Sequence, residues 1–165
     1  MRYTEENKDL FASKDCYFVQ CISADFAMGA GIAVKFNQVF DTKNKMIEKH
    51  GNYIGRWNDG TCVLCDKVYN LITKEKGYGK PTYTTLQNAL NSLKAQVLEN
   101  PDCKTLAMPT IACGLDGLEW NRVSQMVRDT FADTNINISV CIPQRVISKS
   151  DVNLQKNKQQ KEIEW

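Results

Sequence analysis

No stretch of this chain approaches the ~20 consecutive apolar residues that cross a bilayer, so a membrane-spanning helix is not expected. The first residues, Met1-Arg2-Tyr3-Thr4-Glu5-Glu6-Asn7, carry no apolar segment of the kind that marks a secretory leader, and export is not expected either. Histidine is nearly missing, with His50 alone among 165 residues. A zinc site built on the lone Cys62-Val63-Leu64-Cys65 pair would need a second pair or nearby histidines. A strand over residues 61–64 would also send positions 62 and 65 to opposite faces, so no metal is expected. The chain lacks an excess of charge of either sign: 21 basic residues stand against 19 acidic ones, a net charge of +2. That is too balanced for a surface that wraps nucleic acid, and any anionic ligand must be held by a local device. The seven cysteines are odd in number and irregularly spaced, which suits free thiols in a reducing, intracellular setting, cytoplasm or nucleus.

What is present describes one domain. The length suits a single well-buried core, and an apolar fraction of 42% with 24% charged residues is that of a globular protein. Residues 16–22 (CYFVQCI), 68–73 (VYNLIT), 105–108 and 136–142 (INISVCI) are short, apolar and rich in strand formers. Nearly continuous apolar runs of this kind belong to strands covered on both faces. Helical spacing lies between them. Ile32, Phe36 and Phe40 recur every four positions. Leu86, Leu90, Leu93 and Val97 follow Pro81-Thr82, which suits a helix start, and Asn100-Pro101 supplies a stop. Trp120, Val123, Val127 and Phe131 mark a third helix, ended by Asp133-Thr134-Asn135. The alternation predicts an α/β fold with helices on both faces of a central sheet. The domain is expected over residues 1–144. Residues 145–165 are polar, rich in lysine and glutamine, and read as a frayed tail or a short surface helix.

Two loops carry chemistry. Met28-Gly29-Ala30-Gly31-Ile32-Ala33 joins a strand to a helix, where glycines let backbone N–H groups approach an anion and the helix N-terminus adds a favourable dipole. A dinucleotide-binding fingerprint would place a third glycine at position 34, and Val34 stands there. Pro109-Thr110-Ile111-Ala112-Cys113-Gly114-Leu115-Asp116-Gly117-Leu118 also runs from a strand to a helix. Both loops would then open at the carboxyl edge of the sheet, where α/β proteins bind ligands, and could clamp a diphosphate between them.

These loops sit in a larger ordered set: Asn7-Lys8-Asp9-Leu10-Phe11, Cys21-Ile22-Ser23 leading into the first loop, Leu71-Ile72-Thr73-Lys74, Lys80-Pro81-Thr82-Tyr83, and Met108-Pro109 with Cys113-Gly114-Leu115-Asp116. The set resembles the macrodomain family, in its terminal ADP-ribose protein glycohydrolase branch, over roughly residues 1–142. The resemblance implies a three-layer α/β/α macrodomain with a central mixed sheet and a cleft for ADP-ribose. It implies an adenine contact at Asp9 with Leu10 beside it, and a ligand contact at Ser23. Diphosphate and distal-ribose contacts are implied at Gly29, Ala30, Gly31, Ile32 and Ala33, and at Pro109, Ile111, Cys113, Gly114 and Leu115. Lys74 is implied as the nucleophile on the anomeric carbon of a ribose esterified to glutamate or aspartate, and Asp116 as the residue that helps release the sugar. No cofactor is implied. The implied partners are ADP-ribose and mono-ADP-ribosylated proteins, and the chain is expected to act as a monomer without a membrane.

The lysine role is physically demanding. With an ordinary pKa of ~10.4, an amine is only about 0.1% neutral near pH 7.4, so it needs desolvation or a cationic neighbour. Lys74 follows an apolar run that can bring it to a partly buried strand end, and Lys76 and Lys80 are near in sequence, with Glu75 opposing them. The plain alternatives are that Lys74 is a solvated surface lysine and that Asp116 caps the helix before Trp120. A water-activating route, which the family also uses, lacks its asparagine in residues 20–23 and has Ala33 where its aspartate would stand. Three functions remain open: ester hydrolysis, extending to O-acyl-ADP-ribose; a reader that binds without turnover; and removal of phosphate from ADP-ribose 1″-phosphate or of ADP-ribose from nucleic acid. The Gly-Ala-Gly loop, in place of three glycines, lowers the phosphatase reading.

Overall fold

The computed structural model describes residues 1–143. The expected boundary at residue 144 and the polar segment 145–165 lie outside the described residues. Six strands form one sheet: β1 (Arg2–Asn7), β2 (Tyr17–Ser23), β3 (Thr61–Cys65), β4 (Val68–Lys74), β5 (Thr105–Met108) and β6 (Asn137–Ile142). Their order across the sheet is β1-β6-β5-β2-β4-β3. All neighbours pair parallel except β3, which runs antiparallel to β4 as an edge hairpin. The mixed sheet of the sequence reading is therefore present. Its parallel part ends β1, β6, β5, β2 and β4 on one common edge.

Side-chain alternation along the strands divides the core in two. Val19, Tyr69, Leu71 and Leu106 turn to one face, where they meet α3 (Tyr83–Leu98) and α4 (Trp120–Phe131). Phe18, Ile22, Val68 and Ile72 turn to the other, under α1 (Ile32–Phe40) and α2 (Thr42–His50). This is the three-layer arrangement. Cys62 packs in the first cluster and Cys65 in the second, on opposite faces as strand geometry requires. Truncating one of the fully buried leucines on α3, such as Leu90, would cost about 2–5 kcal/mol.

Helix boundaries follow local chemistry. Thr82 caps α3 through a reciprocal box with Thr85, and Pro81 precedes the cap. The Thr85 hydroxyl also donates to the Thr73 carbonyl at 2.6 Å, tying the start of α3 to the end of β4 beside Lys74. Gly31 precedes α1 at φ 61°, a backbone state that a Cβ strains, which explains the glycine there. The cap of α4 is Glu119, with no side-chain capping bond. Asp116 lies three residues too early to cap that helix, and this corrects the plain reading of it.

Candidate active site

A cleft of about 1230 Å³ runs along the carboxyl edge of the sheet. Asn7 ends β1 at one side and Lys74 ends β4 at the other. Four strand intervals separate them, roughly 19 Å at ~4.8 Å per strand. The first loop, residues 24–31, and the N-terminus of α1 form one wall, and the second loop, residues 109–118, forms the other. The N-terminus of α1 presents backbone N–H groups ahead of its first bond, Val34 N–H to the Gly31 carbonyl at 3.3 Å, so this wall suits an anion.

The second loop folds back on itself. Leu118 N–H donates to the Ala112 carbonyl at 3.0 Å and Gly117 N–H to the Gly114 carbonyl at 3.2 Å. Ala112 pays for this with a left-handed backbone at φ 61°, an unusual state for a residue with a Cβ. The fold-back carries Asp116 to Lys74, where Nζ and Oδ1 stand 2.7 Å apart. Their side chains are only 15% and 17% exposed. A Cβ placed on Gly114 would meet nothing within 4 Å, so that stretch of wall faces open cleft.

Lys74 reaches its place through an irregularity in the sheet. Pairing runs Ile22 to Ile72 and then Ser23 to Lys74, skipping Thr73. Beyond the skip, Ala24 N–H donates to the Lys74 carbonyl at 2.9 Å, fixing the strand end to the first loop. The lysines expected to crowd Lys74 are engaged elsewhere. Lys76 sits over the Tyr53 ring at 4.9 Å, and Lys80 donates to the Leu115 carbonyl. Glu75 accepts from the Tyr53 hydroxyl at 3.1 Å. The immediate neighbour of Lys74 is thus a carboxylate and not another cation, which corrects the electrostatic expectation. The expectation of a partly buried strand end is what the fold produces.

Ser23, Gly29, Ala30, Gly31, Ile32 and Ala33 line the cleft with Pro109, Ile111, Cys113, Gly114 and Leu115. Asp9 and Leu10 are not in that lining. Asp9 caps a short 3-10 turn (Leu10–Ala12) through a 3.0 Å bond from Phe11 N–H, two residues beyond Asn7. Leu10 is fully buried against the α1 face. Its apolar side chain belongs to the core, which leaves only its backbone to meet a ligand.

Several lining residues escaped sequence reasoning. Trp120 lines the β1 side and donates from Nε1 to Glu5 at 2.6 Å. Tyr78 and Lys80 come from the turn after β4. Asp25, just behind the lining, accepts from the Ser23 hydroxyl, from Ala27 N–H at 3.2 Å and from Gly77 N–H at 3.0 Å. Burial pushes its carboxyl up, but the Ser23 bond and the two backbone donors outweigh that and hold it below the ordinary range. Burial raises the Cys113 thiol to about 12, with the Asp116 carboxylate adding to the shift. Cys21 is pushed well up by the same two causes and by Cys113.

The chain is 40% identical over 143 residues to human ADP-ribose glycohydrolase OARD1, across 84% of this chain and 90% of that protein. It is a macrodomain of the terminal ADP-ribose glycohydrolase type. No family model matches the chain. The macrodomain of Mycobacterium tuberculosis DarG superposes with a TM-score of 0.72 at 19% identity, covering 86% of this chain and 98% of that one. DarTG of Thermosipho africanus, solved in complex with ADP-ribose, superposes with a TM-score of 0.67 at 18% identity, over 93% of this chain and 44% of that one. At these identities the two structures establish the fold, and the human relative establishes the family.

Proposed function

We propose that this macrodomain binds ADP-ribose and hydrolyses the ester that joins its distal ribose to a glutamate or aspartate side chain. Lys74 is the nucleophile in this reading and Asp116 its proton partner. The observation that carries it is the 2.7 Å Lys74–Asp116 pair at one end of a long cleft whose middle presents a helix N-terminus. The diphosphate fits beside Gly29–Ala30–Gly31, with the distal ribose toward Lys74 and the adenine toward the β1 end. An intact nucleophile and proton acceptor also distinguish the site from one that only reads ADP-ribose. The seven unpaired thiols fit an intracellular setting.

The steps balance as follows. The Lys74 ammonium passes one proton to Asp116 across the 2.7 Å hydrogen bond, which frees a lone pair on Nζ. Nζ bonds to the anomeric carbon as the carbon–oxygen ester bond breaks, and the electron pair leaves with the acceptor carboxylate. Asp116 gives its proton to that carboxylate or to solvent. It then takes a proton from water as the water oxygen bonds to the anomeric carbon and the Nζ–carbon electron pair returns to nitrogen. Return of the proton from Asp116 to Nζ restores the ion pair and frees ADP-ribose. Desolvation of the pair by the bound sugar favours the first transfer, because charge separation is costlier out of water.

The test is turnover of a glutamate-linked mono-ADP-ribosyl peptide beside calorimetry with ADP-ribose. Lys74→Ala is expected to bind nearly as the parent does and to release no label, since a nucleophile acts on the reaction step. Lys74→Arg is expected to stay inactive, because guanidinium remains protonated. Undiminished release by Lys74→Ala would contradict the proposal.

A further inference from the structure

The turn that follows Lys74 is tied to both walls of the cleft. Gly77 N–H donates to Asp25 at 3.0 Å on the first-loop side, and the Lys80 ammonium donates to the Leu115 carbonyl on the second loop. Gly77 lies so close to the first loop that a Cβ there would sit 2.5 Å from Ala27 Cβ. Gly79 N–H donates to the Lys76 carbonyl at 2.9 Å, which closes the turn around Gly77 and Tyr78. Residues 77–80 therefore strap the two walls together at the Lys74 end. Tyr78 rides on the strap between its two ties, lines the cleft, and is 87% exposed. Leu115, adjacent in sequence to Asp116, lines the same cleft and is 54% exposed.

Two large apolar side chains thus stand uncovered at the mouth, one four residues beyond Lys74 and one next to Asp116. The ADP-ribose half of a substrate runs the other way, toward β1, so these side chains meet what lies beyond the ester. We infer that Tyr78 and Leu115 form an acceptor-side subsite, which selects esters bearing an apolar group within a few bonds of the ester carbonyl. The inference rests on the hydrolase reading above and assigns it a substrate preference. The apolar group can be the chain of an O-acyl ester or an apolar residue beside a modified glutamate. The chemistry recognised is the same, a small hydrocarbon surface removed from water against Tyr78 and Leu115.

The experiment compares the full-length chain with Tyr78→Ser and with Tyr78→Ser, Leu115→Ser on two substrate series. The first is acetyl-, hexanoyl- and succinyl-ADP-ribose. The second is glutamate-linked ADP-ribosyl peptides with glycine or leucine beside the modified residue. The parent is expected to favour hexanoyl over acetyl in kcat/KM by about fivefold, on the scale of one to two partly buried methylenes. It should disfavour succinyl, because its terminal charge would lose hydration against Tyr78 and Leu115 while the nearby Lys80 ammonium is already bonded to the Leu115 carbonyl. Tyr78→Ser should flatten that ranking while its affinity for free ADP-ribose stays unchanged, and the double variant should lose the ranking altogether. Preference only in the acyl series would identify a free acyl ester as the source, and preference only among peptides a protein substrate. Equal kcat/KM across both series in the parent, or a ranking that survives the double substitution, would overturn the subsite and leave the hydrolase reading standing. Absence of turnover on every ester would overturn both.

Discussion

Replacing Asp25 tests how the reactive end of the cleft is held. Its carboxylate accepts three hydrogen bonds, from Ser23, Ala27 and Gly77, and so joins the end of β2, the first loop and the strap. A hydrogen bond to a charged group contributes about 1.5–3 kcal/mol when measured singly. The three share one part-exposed carboxylate and are not additive, so Asp25→Ala should lose about 2–3 kcal/mol in total. For a domain of this size that corresponds to a melting temperature lower by roughly 5–10 °C. Asp25→Asn keeps acceptors for Ser23 and Ala27 but turns an amide donor toward Gly77 N–H, and should fall between the two. The sign with pH follows from the depressed carboxyl. A group whose folded pKa lies below its ordinary 3.8 stabilises the fold above that value, and the gain disappears as pH falls through the folded pKa. Thermal melts of parent and Asp25→Ala should therefore show a full gap at pH 7 that starts to narrow near pH 5, about one unit above the unfolded pKa, and keeps narrowing toward pH 3. A gap of a degree or two at pH 7, or one that is unchanged at pH 3, would refute the reasoning.

Asp9→Ala should lower stability by about 1 kcal/mol, because the carboxylate caps the 3-10 turn. Calorimetry with ADP-ribose decides its second role: a weakened affinity keeps the adenine contact at Asp9, and an unchanged affinity removes it from the site. Cys113, with its thiol raised to about 12, should be alkylated by iodoacetamide at pH 8 far more slowly in the folded protein than after unfolding. The rate should climb as pH rises toward 12, whereas rapid labelling at pH 8 would mean that the thiol is not desolvated.

The parts of this fold legible in the sequence are those whose pattern is decided locally. Residues 105–108 and 68–73 are mostly apolar runs rich in strand formers, and they became β5 and β4 almost to the residue. The leucine stripe of α3 follows a threonine that caps it, so both its face and its start could be read. β1 could not, because RYTEEN is polar and becomes a strand only by pairing along β6 at the sheet edge. The helix α2 has just Met46 and Ile47 as large apolar residues, too few to show a period. The two loops were legible through their glycines and their place after strands. What brings Asp116 to Lys74 was not, since it depends on a fold-back through Ala112 and on a skipped residue at Thr73. Tyr78 lay within Gly77-Tyr78-Gly79, a turn signal that could have marked it, but its tie to both walls comes from Asp25 and Leu115, 53 and 37 positions away.

The covalent role of Lys74 is tested most directly by intact-mass spectrometry of Asp116→Ala after exposure to a glutamate-linked ADP-ribosyl peptide. Without Asp116 the Lys74 ammonium must lose its proton to solvent, so the sugar should reach Lys74 more slowly than in the parent. It should leave more slowly still, because no carboxylate remains to take the proton of the incoming water. The expected result is a protein heavier by one ADP-ribose in Asp116→Ala, and no such species in the Lys74→Ala, Asp116→Ala double variant. An adduct of the same yield in the double variant would place the sugar on another residue. Loss of turnover in both single variants, with no adduct in either, would contradict the nucleophilic lysine and leave Asp116 as the group that activates water.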